Sequence, residues 1–302
     1  MSSSDQSGIR YYESSTYWLA PARNFRSSAR LHLQHLLCQN TLGYLLEPHI
    51  EKDVSGSTQL AVADLGCGNG IWLLQLHDEL AKRGVTATVS GYDINPINFP
   101  ASAWLPSTIQ LHQLDILSQS LPDDVLGTFD VVHVRAFVSI IVNSNTTPLL
   151  KAVLSLLKPG GWLQWEEVRA ERFIVQSPSP EVSSTSCDTI VAMLKAAADA
   201  QGLSYEFVGC MDRHLADHGF DNVHVTTTKK RQQDYKGWTE DYLMVFEGLA
   251  DHFPTKEQAP QAPMTKESWA QLFQQAVYET EKGVAIHQEE IVTAVGRKPL
   301  NG

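Results

Sequence analysis

The stretch AVADLGCGNG constrains this chain more than any other part of it. An apolar run ends in three alternating glycines, Gly66, Gly68 and Gly70, and the helical pattern IWLLQLHDELAKRG follows at once. Glycine lets the chain turn sharply and leaves bare backbone for a ligand, while the amides opening the next helix favour an anionic group. Strand, glycine turn and helix in that order imply a nucleotide-like ligand in an α/β fold. The dinucleotide fingerprint needs its third glycine at position 71, which is Ile71, so nicotinamide and flavin enzymes lose ground. The phosphate-cradling GxxxxGK(S/T) pattern does not occur, so nucleoside triphosphate hydrolysis has no support.

The rest of the chain fits around this turn. Short apolar runs alternate with helical segments between Gln59 and Arg169, which is the mark of βαβ units. Strands are expected at LAVADLG, ATVSGYDI, IQLHQLDI, FDVVHVRA and GWLQWEEV, with two more at NVHVTTTKK and GVAIHQEEIVTAVG. Right-handed crossovers then gather the loops at the carboxyl ends of the strands along one edge, where open α/β sheets bind ligands. The expected fold is α/β, a doubly wound, mostly parallel seven-stranded sheet with N-terminal helices and a helical insert before the last strand. Residues 1–58 read as an N-terminal helical cap, 59–235 with 284–302 as the α/β core, and 236–283 as a helical lid interrupted by FPTKEQAPQAP.

Charge and cysteine usage narrow the partners. The formal net charge is -11, from 34 acidic against 23 basic residues, so the surface repels a phosphate backbone and nucleic acid is not expected as a partner. Cys38, Cys67, Cys187 and Cys210 form no CxxC pair, which argues against a zinc site or a disulfide framework and for a reducing, cytoplasmic setting. No stretch approaches the roughly 20 apolar residues of a membrane helix, and no basic-then-apolar leader opens the chain, so no membrane association is expected.

Acidic residues follow the glycine turn at strand ends. Asp93, in SGYDIN, ends the second expected strand, where a carboxylate can accept both hydroxyls of a ribose. Asp115, in QLDIL, ends the third and could accept from an adenine amino group, although such a residue alone is more often a turn former. VADLGCGNG, GYDIN, QLDIL, FDVVHVRA and LLKPGGWLQWEE, in this order, resemble the class I S-adenosylmethionine-dependent methyltransferases, over about Gln59 to Arg169. More finely, the leucine-rich N-terminal helix and the phrases FDVVHVRA and KPGGWLQWEE resemble fungal secondary-metabolite methyltransferases.

The resemblance implies a Rossmann-like methyltransferase fold, S-adenosyl-L-methionine as cofactor, and a small natural-product acceptor methylated on oxygen, nitrogen or sulfur. It implies that Asp64, Gly66, Cys67, Gly68 and Gly70 shape the methionine pocket, that Asp93 and Ile94 hold the ribose, and that Asp115 and Ile116 meet the adenine. Val134 or Arg135 would line the reactive end of the cofactor. Related folds also serve as cofactor-binding regulators or catalyse rearrangements or dehydrations around a bound cofactor, and both alternatives stand at this point.

Methyl transfer from a sulfonium is an in-line displacement that needs near-attack geometry and exclusion of water more than an acid and base pair. Should the acceptor be a hydroxyl, His133 and Glu167, at the ends of the fourth and fifth expected strands, are the candidate bases. Each competes with an ordinary structural role, in which one satisfied hydrogen-bond partner is reason enough for its presence. His214 and His218 recur at helical spacing in MDRHLADHGF, but no third ligand accompanies them, and they read as a solvated helix face instead of a metal pair. Tyr12, Tyr17 and Trp18 near the start, and Trp238 and Tyr242 in the insert, would suit a flat apolar acceptor or merely pack the lid.

Overall fold

The computed structural model describes residues 24–117 and 121–300 of the chain. Five parallel strands build most of the sheet: β1 (Gln59–Leu65), β2 (Thr86–Asp93), β3 (Ile109–Gln113), β4 (Phe129–Arg135) and β5 (Leu157–Val168). β1, β4 and β5 are buried along nearly their whole length, as expected of parallel strands covered on both faces. With β7 (Asp221–Lys229) and β9 (Glu290–Arg297) they form one seven-stranded sheet in the order β3-β2-β1-β4-β5-β9-β7, and β9 alone runs antiparallel to its neighbours. The strand order reverses between β1 and β4, so the loops after these two strands open the crevice in which such sheets bind ligands.

Helices α1 (Phe25–Leu42), α2 (Pro48–Val54), α3 (Ile71–Lys82) and α4 (Thr147–Leu156) flank the sheet's first strands. α1 begins where Asn24 caps the amides of Arg26 and Ser27 and stops at the left-handed Gly43. Its buried face, including His35, Leu37 and Cys38, packs against α3 on one side and against α7 (Tyr235–Gly248) on the other. Leu36, on the opposite face, is exposed.

Two hydrophobic cores lie on the two faces of the sheet, one around Leu73, Leu76 and Val89 and the other around Leu150, Trp165 and Phe207. A third holds the insert together: Phe246 of α7 packs with Trp269 and Ala276 of α8 (Lys266–Glu281) and with Cys187 and Ile190 of α5 (Thr185–Ala200). The apolar partners of the late helices therefore include α5, from which β7 separates them in the chain.

The run GVAIHQEEIVTAVG, expected as one strand, is two. β8 (Ala285–Gln288) pairs with β6 (Phe173–Gln176) in a separate two-stranded sheet, and only β9 joins the main one. Ile286 is drawn into the insert's core while Val292 and Ala294 stay in the sheet's, and the chain breaks between them at Glu289. β6, only four residues long, is too short to leave a periodicity. His214 and His218 also differ from expectation. They are half-buried beside α4, with His214 Nδ1 3.1 Å from Thr146 Oγ1 and His218 Nε2 3.1 Å from Thr147 Oγ1, and so pin α6 (Met211–Asp217) to α4 instead of facing solvent.

Candidate active site

A cavity of about 600 Å³ opens at the carboxyl ends of β1, β2 and β4 and runs under α1 to the insert. Its first wall is the glycine turn. Gly66 and Gly68 have φ of 68° and 60°, the left-handed region that a side chain disfavours, and a Cβ at Gly68 would stand 2.9 Å from Leu31 of α1. The amides of Gly66 and Cys67 bond back to the Tyr92 carbonyl at 2.7 and 3.0 Å, which ties the turn to the end of β2. Asp93 fixes it further, its Oδ2 accepting from the Gly68 amide at 2.9 Å and its Oδ1 from the Asn95 amide at 2.9 Å.

Of the residues expected at a cofactor, Asp64, Gly66, Cys67, Gly68, Asp93, Ile94, Asp115, Ile116 and Arg135 all border this cavity. Gly70 and Val134 do not: Gly70 caps α3, and the Val134 side chain is buried in the core. The Cys67 sulfur lies against Gly91 and Leu73, and burial pushes its thiol well above the ordinary value, so it is a packing residue and not a thiolate nucleophile. Tyr12, Tyr17 and Trp18 lie outside the described residues.

Behind the turn lies a buried chain of charged groups that sequence reading did not assemble. His133 Nδ1 is 2.7 Å from Asp64 Oδ1, its ring stacks on Trp72 at 3.8 Å, and its Nε2 stands 3.6 Å from Glu166 Oε2, an ion-pair and not a hydrogen-bond separation. Burial opposes a charge on this imidazole, but the two carboxylates outweigh it and hold its pKa above the usual value. Glu166 also takes Arg135 Nε at 2.7 Å and Gln164 Nε2 at 2.6 Å. Burial would raise its carboxyl, yet Arg135 and His133 bring it down to about 2. Arg135 Nη1 donates to His35 Nδ1 at 3.2 Å, and His35 Nε2 meets Gln75 Oε1, so the ring must be neutral to serve both. Burial and the Arg135 charge accordingly lower His35 to about 4.

Glu167 faces elsewhere. Its Oε1 accepts from the Phe137 amide and from Trp165 Nε1, both at 2.7 Å, and its Oε2 from the Val138 amide at 3.2 Å. It thereby fastens the turn after β4, in which Ala136 is left-handed at φ 60°. Burial pushes its carboxyl up to about 8 against the pull of these three donors. At the far end, Trp238, Asp241 and Tyr242 of α7 line the cavity with Val245 and Phe246. Trp238 and Tyr242 were expected there. Asp241, Arg30 and His35 were not, because one charged or aromatic residue on an amphipathic helix does not reveal which face it occupies.

The family model described as a methyltransferase domain matches residues 30–225, which take in the glycine turn, the Asp93 loop and the buried ion network. The chain belongs to this methyltransferase domain family. The matched span contains the segments whose resemblance implies S-adenosylmethionine as cofactor. Among curated relatives, it is 33% identical over 175 residues to "Methyltransferase grgD" of a Penicillium species, covering 56% of this chain and 58% of that one. It is 28% identical over 166 residues to "N-methyltransferase verN" of Clonostachys rogersoniana, covering 55% and 54%. The chain thus spans a little over half the length of the curated relatives it matches. Among solved structures, the fold is similar to phosphoethanolamine N-methyltransferase 2 of Haemonchus contortus, at 15% identity and a TM-score of 0.45 over 83% of this chain and 51% of that one. It is also similar to the [4+2]-cyclase SpnF, at 16% identity and a TM-score of 0.48 over 84% and 80%. These two likenesses concern the fold alone.

The residues present fit a nucleoside sulfonium of this kind. Bare backbone at Gly66 and Gly68, carboxylates at Asp64, Asp93 and Asp115, and the Ile116 side chain share one cavity. Arg135 Nη2, buried on its wall, has no hydrogen-bond partner among the described residues.

Proposed function

We propose that the chain transfers a methyl group from S-adenosylmethionine to an oxygen, nitrogen or sulfur nucleophile of a small, apolar natural product. One observation carries the reading: a single cavity joins the glycine turn and Asp93 to a wall of Trp238, Tyr242 and Phe246. Donor and acceptor compartments so connected allow an in-line approach. Kinship with methyltransferases of filamentous fungi supports a natural product as acceptor. Four free cysteines, three of them buried, support a reducing, cytoplasmic setting. Among the described residues no helix is long and apolar enough to cross a membrane.

In this reading the cofactor supplies an electrophilic methyl group on a sulfonium, and the chain does the rest. The Gly66 to Gly68 backbone cradles the amino-acid end, Asp93 accepts from the ribose hydroxyls, and Asp115 with Ile116 borders the base. His133 positions instead of accepting a proton, since an imidazole kept charged between Asp64 and Glu166 has no free lone pair to act as a base. Glu167 likewise positions, by holding the turn after β4 against the cavity.

The test is turnover with S-adenosylmethionine carrying a trideuterated methyl group and a panel of apolar phenols, amines and thiols, read by mass spectrometry. An acceptor gaining the labelled methyl supports the proposal. An acceptor that is converted without gaining label contradicts it and favours a rearrangement.

A further inference from the structure

The acceptor end of the cavity contains a buried carboxyl group whose hydrogen bonding is incomplete, and burial raises its pKa against the pull of Arg30 and Lys230. Asp241 of α7 is only 1% exposed, and its Oδ1 takes Arg30 Nη1 of α1 at 3.3 Å. Its Oδ2 has no hydrogen-bond partner among the described residues. A carboxylate oxygen cut off from water and left without a donor is costly, and the usual remedy is a donor on a bound molecule. The neighbouring apolar walls are Trp238, Tyr242, Val245 and Phe246; the Gln34 amide also borders the cavity and acts on the carboxylate, without completing a hydrogen bond to Oδ2.

The charges around Asp241 decide what kind of donor fits. Arg30 already compensates it on one side. Lys230 also acts on it electrostatically, buried with its Nζ 3.5 Å from the centre of the Trp238 ring and 3.2 Å from Gln288 Oε1. Burial already pushes the Lys230 ammonium down to about 7, so this end of the cavity disfavours a further cation, whereas a neutral N–H or O–H completes the open oxygen without adding charge.

We propose that Asp241 is a specificity-determining residue that anchors the acceptor through a neutral N–H or O–H group on a flat apolar skeleton, as in a lactam, an indole or a phenol. Trp238 and Tyr242 supply the surface on which that skeleton lies, and Asp241 sets its orientation in the cavity. The assignment rests on the methyl-transfer reading, because it takes this end of the cavity to be the acceptor's.

Matched probes test it on the full chain saturated with S-adenosylhomocysteine. Affinities for 2-naphthol, 2-methylnaphthalene and 2-naphthylmethylamine are measured by ligand-observed NMR on the wild type, Asp241→Leu, and Asp241→Leu combined with Arg30→Met, which removes both members of the ion pair. The wild type is expected to prefer 2-naphthol over 2-methylnaphthalene by about tenfold, the worth of one hydrogen bond to a charged group, although the methyl compound is the more apolar. Both variants should lose that preference while S-adenosylhomocysteine affinity, which reports an intact fold, stays within about threefold. Equal affinities in the wild type, no binding of 2-naphthol, a preference that survives Asp241→Leu, or tightest binding of the amine would each overturn the inference. Failure of the wild type to bind S-adenosylhomocysteine would overturn the methyl-transfer reading beneath it.

Discussion

Asp64 and His133 are register partners on adjacent parallel strands, and Asp64 Oδ1 lies 2.7 Å from His133 Nδ1 at the point where the sheet's strand order reverses. Both side chains are buried, and Glu166 on the next strand stands beyond the imidazole. The glycine turn that leaves β1 immediately after Asp64 is therefore built on a buried carboxylate whose charge is balanced from β4. Removing the balance is expected to be expensive. His133→Phe keeps the stack on Trp72 but strips Asp64 of its cation and leaves Glu166 with Arg135 alone, and should lower stability by about 3–5 kcal/mol in urea unfolding. Adding Asp64→Asn should recover part of the loss. A cost near zero for His133→Phe would show that the pair carries no charge.

Acid should weaken the fold through His35 before it reaches Glu166. The folded pKa of His35 lies near 4, below the ordinary 6.5, so between these values the unfolded chain binds a proton that the folded one refuses. Stability from this group is complete above pH 6.5 and is lost as pH falls toward 4. Glu166, held near 2 against 4.5, adds a loss that begins only below about pH 4.5. His35→Gln, which can still accept from Arg135, should flatten the melting temperature between pH 6.5 and 4.5 relative to wild type. An unchanged slope would mean that His35 titrates normally in the folded chain.

Glu167 has the opposite sign. Its folded pKa of about 8 exceeds 4.5, so the stability it contributes is complete below pH 4.5 and disappears as pH rises through 8. Thermal melts between pH 6 and 9 should show wild type losing ground to Glu167→Gln as pH rises. Parallel curves would place the carboxylate in its charged form throughout, satisfied by the Phe137, Val138 and Trp165 donors.

Gly68→Ala forces a side chain into a left-handed backbone and to within 2.9 Å of Leu31. The backbone conformation alone is worth roughly 1–2 kcal/mol, and the variant should lose at least this much in denaturant unfolding and bind S-adenosylhomocysteine more weakly. Pairing it with Leu31→Ala should relieve the contact and leave the backbone cost. A stability equal to wild type would show that the turn is free to reshape.

The sheet and its ligand edge were legible in the sequence because each rests on local signals: apolar runs of strand length, glycines at a turn, acidic residues just past strand ends. Asp93 and Asp115 were found for that reason. The ion network was not, since Asp64, His133, Arg135 and Glu166 meet only through strand register, with His35 brought in by the packing of a helix, and single-chain patterns do not encode such pairings across the sheet. The break at Glu289 was hidden likewise, because either half of the run reads as strand and only the competing insert core separates them. Asp241, three residues from Trp238 and next to Tyr242, is not legible in the sequence, because nothing there shows which helix face meets the cavity.

The most direct test of the account is calorimetric titration of the purified chain with S-adenosylmethionine and S-adenosylhomocysteine, with NADH as the contrast and Asp93→Ala as the internal control. The account predicts binding of the first two and none of NADH. It also predicts affinity about 10- to 100-fold weaker in a folded Asp93→Ala, from the loss of charge-assisted hydrogen bonds to the ribose. Binding of NADH in place of the sulfonium compounds, or an Asp93→Ala variant that binds them as tightly as wild type, would contradict the assignment of this cavity.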